Sequence, residues 1–296
     1  MFDLRTYLED KRKLVNAALE NMMGALPSSR LLTQAMRYSV MAGGKRLRPI
    51  LCIAAAEAVG GSERDVLKVA CTLEMIHTFS LIHDDLPALD DDDLRRGKPT
   101  CHKAFGEAPA ILAGDALLNF AFQVLTEGGP TGKTPASDRL EVAHRIARAV
   151  GHMGMIEGQM RDMEGEVRAL SLSELEAMHR LKTGAIIEVS VYAGARLGGG
   201  SASQISTLEE YAGCIGLAFQ VTDDILNVEG DPALMGKAVG SDEKRNKSTY
   251  PSLLGMPGAK QLAGSLVEHA LKALKPFDKR SDALRAVARY IIERKR

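Results

Sequence analysis

The stretch HTFSLIHDDLPALDDDDLRRGKPT, residues 77–100, decides how the rest of the chain is read. Six aspartates fall within ten positions (Asp84, Asp85, Asp90, Asp91, Asp92 and Asp93), and Arg95 and Arg96 follow at once. The residues leading in, Leu73, Ile76, Ser80 and Leu81, have helical spacing. Carboxylates crowded at the C-terminal end of a helix repel one another and meet the negative end of the helix dipole. A solvated acidic turn would tolerate this. A hard cation would relieve it, and Mg²⁺ takes one or two carboxylates and fills its shell with water and phosphate oxygens.

A second acidic stretch, FQVTDDILNVEG at residues 219–230, weakens the solvated-turn reading. Asp223 and Asn227 are four apart and Asp224 and Asn227 three apart, so on a helix they share a face. Two such helices facing each other would cage several divalent ions, an arrangement suited to a diphosphate.

Composition narrows the classes. The chain has 296 residues, with 38 Lys plus Arg against 38 Asp plus Glu, so its net charge is zero. Neutrality argues against a nucleic-acid partner, and the absence of tryptophan leaves no obvious stacking platform for bases. Cys52, Cys71, Cys101 and Cys214 have no CxxC spacing and read as small buried hydrophobes in a reducing compartment. The N-terminal residues MFDLRTYLEDKRK lack the apolar core of a signal peptide. The longest apolar run, Ile50 to Ala56, is far short of the ~20 residues that cross a bilayer. The expectation is a cytoplasmic protein and not a membrane one.

Along the chain, apolar spacing predicts helices over 3–25, 31–41, 50–59, 65–85, 110–125, 138–160, 172–197 and 203–228, with two more at the end. The sequence AGGKRLRP, residues 42–49, frees the backbone and then places three cations within four positions. It is either an anion site or a helix terminus with solvated charges. His77, Ser80 and Asp84 share one face of the 65–85 helix, which leaves His77 as core residue or ligand contact. Pro87 predicts a kink that re-aims the second set of acids. Ser173 and Glu176 have capping-box spacing at the start of the 172–197 helix. Inside that helix Lys182 and Thr183 interrupt an apolar run; such a lysine either snorkels out or meets an anion. Residues 128–137 read as a surface loop, and the long stretch after Asn227, holding Lys237 and Lys247, as a functional lid. No stretch alternates with period two. The expected fold is all-α: one large bundle of eleven to thirteen helices over residues 1–296, around a deep central cavity.

Taken together, these motifs resemble the trans-prenyl diphosphate synthases, and within them the bacterial farnesyl diphosphate synthases. The resemblance covers nearly the whole chain, with the motifs in the family's order. It implies that Lys45, Arg48 and His77 bind the homoallylic diphosphate. It places the metal ligands of the first motif on Asp84 and Asp90, with Arg95 on the allylic diphosphate and Arg96 on isopentenyl diphosphate. Lys182, Thr183, Gln220 and Lys237 fall on allylic-diphosphate contacts, and Lys247 on a further basic position. DDILN departs from the family's DDxxD because Asn227 replaces the last acid, which leaves Asp223 as the metal ligand there. The resemblance implies three Mg²⁺ ions with bound diphosphate, isopentenyl and allylic diphosphates as substrates, and a homodimer. Ionisation, condensation and elimination would need no nucleophilic residue and no protein base. Phe79 lies five residues before Asp84, about 7.5 Å along a helix. It resembles the floor that limits a chain to fifteen carbons, or else it is ordinary core packing. A geranylgeranyl product is the alternative, with a terpene cyclase or a catalytically silent subunit behind it.

Overall fold

The computed structural model describes residues 2–127, 135–230 and 247–294. The surface loop expected at 128–137 lies mostly outside them, as do most of the stretch after Asn227 and Lys237 with it. The described residues form thirteen α-helices and two strands of two residues.

The first four helices are α1 (Leu4–Gly24), α2 (Leu31–Val40), α3 (Leu47–Ala58) and α4 (Glu63–Asp84). Helix α3 carries the Ala-rich run, and Ile50 through Ala56 are fully buried. Helix α4 starts at a capping box, with the Ser62 amide and hydroxyl both donating to Asp65 Oδ2 at 3.0 and 2.7 Å. It packs against α3 on one side and, on the other, against α6 (Glu107–Thr126), which follows the short α5 (Cys101–Phe105).

Residues 138–160, expected as one helix, form parts of two: α7 (Ala136–Val150) and α8 (Met155–Val167). The break falls at Gly151–Gly154, where the chain turns too tightly for a side chain on Gly154, whose Cβ would strike the backbone of Ala149. The 172–197 segment is likewise interrupted. Helix α9 (Leu172–His179) passes into a π-turn (Arg180–Gly184) before α10 (Ala185–Leu197). Its capping box is Ser171 with Glu174, two residues earlier than expected. Both registers fit S-x-x-E. The entry is fixed by Leu170, whose amide donates to Ser248 Oγ at 2.9 Å and whose side chain joins Leu175 in a buried cluster, a hydrophobic staple.

The remaining helices are α11 (Ala202–Glu229), α12 (Tyr250–Ala273) and α13 (Asp282–Glu293). One buried cluster draws on residues from Val15 to Ile291, and a smaller one lies under α9, α11 and α12. Helices α4 and α6 are long and apolar enough to cross a membrane by length and composition alone. Two thirds of the apolar window of α4 is buried inside the bundle, against 39% for α6.

Helices α3 and α10 approach each other closely in the core. A Cβ on Gly194 would collide with the Cys52 carbonyl, and Gly198 lies against Ala56. Backbone cannot yield as a side-chain tip can. Gly194→Ala is therefore expected to destabilise the protein by at least about 1–3 kcal/mol in urea unfolding; wild-type stability would contradict this register.

Candidate active site

The first acidic stretch folds as a helix end, a reversal and a hairpin. Asp84 is the last residue of α4. Past Pro87 the Asp90 amide donates to the Asp84 carbonyl at 2.8 Å, so the chain doubles back and the second set of acids starts beside the first. This is the kink expected from Pro87. The two strands, Leu94–Arg95 and Lys98–Pro99, were not anticipated. They are joined by Arg96 and Gly97, both left-handed at φ 56° and 77°, as a two-residue I′ hairpin turn requires.

That turn sends the two arginines to different places. Arg95 turns back onto the acids: Nε donates to Asp85 Oδ1 at 2.9 Å and Nη2 to Asp92 Oδ2 at 3.0 Å. Arg96 lies over the 42–48 loop and donates to the Gly43 carbonyl. Gly44, at φ 122°, has no room for a side chain beneath that guanidinium. Lys45 is exposed at this loop.

A cavity of about 400 Å³ opens beside the end of α4. Six of the residues singled out from sequence line it: Arg48, His77, Phe79, Asp84, Lys182 and Thr183. Helix α8 adds an apolar wall to the lining, made of Met155, Ile156, Met160 and Met163. The Phe79 ring meets the His83 ring edge-on, with centroids 5.2 Å apart. The π-turn carries both Lys182 and Thr183 to the cavity. It packs so tightly on α8 that a Cβ on Gly158 would strike the Lys182 backbone.

The charges are arranged for an anion. Arg48 Nε is buried with no hydrogen-bond partner among the described residues. Burial, outweighing the opposing pull of Glu74, lowers Arg48 to about 10, so it stays cationic at neutral pH. Burial and then the charges of Arg48 and Arg96 hold His77 well below its ordinary value, so its imidazole is neutral. Lys182 and Lys247, from segments far apart in the chain, both donate to Asp162 Oδ2, at 2.6 and 2.8 Å. Burial opposes ionisation of Asp162, yet the two lysines together hold its carboxyl below the usual value. The sequence alone gives Asp162 no role. Nothing local announces that two distant lysines converge on it.

On α11, Gln220, Asp223 and Asn227 follow one another at helical spacing. The adjacent acids separate. Asp224 is buried and accepts the Tyr250 amide at 2.9 Å. Asp223 stays partly exposed, within electrostatic reach of Arg48. Arg294, also missed in the sequence, donates to Asp223 Oδ1 at 2.5 Å while lying over the Phe219 ring.

Among the described residues no group of three or more His, Cys, Asp or Glu side chains forms a ready metal cage. What they offer is a carboxylate in need of a counter-charge. Burial first, then Asp90 and Asp85 against the pull of Lys182, push Asp84 up to about 6. A donor set of one or two carboxylates suits Mg²⁺ that completes its shell with phosphate oxygens and water.

Residues 29–290 match the family model of the polyprenyl synthetases. The chain is 49% identical over 288 residues to a farnesyl diphosphate synthase of Geobacillus stearothermophilus, covering 97% of each. It superposes on the crystal structure of an FPP/GFPP synthase of Zymomonas mobilis with a TM-score of 0.86, at 38% identity and 98% coverage of both chains. With a geranylgeranyl pyrophosphate synthetase of Pyrococcus horikoshii the TM-score is 0.90, at 30% identity and 98% coverage of both.

The raised Asp84 value has a consequence for stability. A carboxyl whose value rises from 3.8 to about 6 on folding loses nothing below pH 3.8. Its cost to the fold grows as pH climbs towards 6 and is complete above that. Metal-free Asp84→Asn is expected to melt above the wild type at pH 8, by at least roughly 2–4 °C. The gap should close towards pH 4; melting curves across that range, in EDTA, check both statements.

Proposed function

The chain belongs to the polyprenyl synthetase family and is a prenyltransferase, and from that premise we propose that it condenses isopentenyl diphosphate with dimethylallyl and geranyl diphosphate to give farnesyl diphosphate. The observation that carries this reading is the cavity. Cations and a carboxylate contribute one part of its lining, apolar side chains of α8 another, and Phe79 lines it as well.

In this reading Asp84, Asp90 and Asp223 hold three Mg²⁺ ions together with the bound diphosphate, and Asn227 offers a carbonyl oxygen where the family has an acid. When bound, Mg²⁺ neutralises charge on the leaving diphosphate. Lys182 and Lys247 turn ammonium protons from Asp162 towards the allylic diphosphate, helped by Thr183, Gln220 and Arg95. Lys237 belongs to the same set but lies outside the described residues. Lys45, Arg48 and Arg96 take the diphosphate of isopentenyl diphosphate, with neutral His77 as hydrogen-bond partner. The α8 wall keeps water from the allylic cation. No protein base is required, since the departing diphosphate can accept the proton.

We assign the chain to one catalytic domain, 1–296, working in the cytoplasm as a homodimer; exposed Ile111 and Leu112 on α6 support that pairing. A geranylgeranyl product is the second reading. It is favoured by the three methionines in the wall, which repack more easily than branched or aromatic side chains. A cyclase would have little use for the Arg48–His77 side of the cavity.

The test is a product assay with Mg²⁺, isopentenyl diphosphate and either allylic primer, with the alcohols identified after dephosphorylation. Farnesol is the expected main product; absence of condensation would overturn the assignment. Phe79→Ala is expected to shift the main product to twenty carbons or more. An unchanged product would remove Phe79 as the floor.

A further inference from the structure

One ion pair beside the cavity has no part in the chemistry above. Arg46 sits in sequence between Lys45 and Arg48, yet it turns inward and is 2% exposed. Its backbone is left-handed at φ 53°, an uncommon and strained choice for arginine. Each guanidinium nitrogen donates to a different partner. Nη1 bonds Glu74 Oε1 at 2.6 Å, Nη2 the Val40 carbonyl at 2.6 Å, and Nε the Asn16 side chain at 2.9 Å. One side chain therefore ties together α1, the end of α2 and the middle of α4.

Stability does not account for this arrangement. Two charges taken out of water are often no better than a well-packed apolar pair, and the left-handed residue adds strain. Position accounts for it. Glu74, 1% exposed, lies one turn before His77 on α4. Two residues after Arg46 comes Arg48, whose Nε is unpartnered. Arg96 closes over the same loop at Gly43. Arg48 and Arg96 repel each other, and Glu74 attracts both.

We propose that Arg46 and Glu74 are positioning residues for the isopentenyl diphosphate subsite. The pair locks the 43–48 loop in the turn that sets Arg48 beside His77. Neither residue touches substrate. The inference rests on the function proposed above, for it concerns one half of that site.

The test replaces the pair by apolar residues of similar size, Arg46→Met with Glu74→Leu. Melting temperature, the KM for isopentenyl and for geranyl diphosphate, and calorimetric binding of isopentenyl diphosphate in EDTA are then measured. The double variant is expected to melt near the wild type. KM and Kd for isopentenyl diphosphate should rise about tenfold or more, with the KM for geranyl diphosphate unchanged. Equal shifts for both substrates, or none in a folded variant, would overturn the proposal. Should the double variant not fold, Asn16→Ala removes only the Nε acceptor. It should give a smaller shift, again confined to isopentenyl diphosphate, and equal effects on the two substrates would overturn the proposal as well. A wild type that condenses nothing would sink the assigned reaction, while calorimetry on wild type and variant would still judge the pair.

Discussion

The ionised carboxylate of Asp84, held at the C-terminal end of a largely buried helix, is the charge around which the site is built. Neither the helix dipole nor its neighbours Asp85 and Asp90 favour it. The structure answers by bringing cations from elsewhere in the chain. Lys182 arrives on a π-turn, Arg95 on a hairpin that neutralises Asp85 and Asp92, and Lys247 from just before α12. The two lysines share one carboxylate, that of Asp162. A site so balanced is strained by its own acids and has cations already in place, which suits the proposed binding of Mg²⁺ with diphosphate.

Such crowding needs a scaffold that does not yield. Gly158 lets α8 lie directly on the backbone of the π-turn, and only at that separation does Asp162 reach Lys182. Gly194 does the same for α10 against α3. Small residues thus bring backbones together, while long charged side chains span what distance remains.

The sequence made some of this legible and hid the rest for physical reasons. The kink after Asp85 followed from Pro87, because proline constrains its own neighbourhood. The buried course of α3 followed from its run of small apolar residues. The capping box at the start of α9 was misplaced by two residues because S-x-x-E fits twice there, and the choice depends on Leu170 packing under α11 and α12. The hairpin at 94–99 escaped notice since its strands are two residues long and its turn places an arginine at positive φ. The π-turn, the double engagement of Asp162 and the Arg294–Asp223 pair all depend on partners distant in sequence. Local periodicity carries no trace of them. At Lys182 and Thr183 helical spacing alone left two readings open, and the π-turn that brings both to the cavity has no signature in that spacing.

The cavity sets a confined aromatic pair beside a deformable wall, and on the function proposed above this bears on product length. His83 is confined between Phe79 and α6, because its ring fills the space a side chain on Gly114 would take and Nε2 meets the Ile111 carbonyl at 3.0 Å. With His83 fixed, the Phe79 ring that rests on it has little freedom to swing aside. Met160 and Met163 on α8 line the same cavity yet remain more than a third exposed, so rotamer changes there meet little resistance. On that reading, a growing prenyl chain meets less opposition along α8 than at Phe79. If the chain makes the product proposed above, length control becomes a competition between one confined aromatic pair and one adaptable wall, and substitutions at either shift it without touching a charged residue of the site.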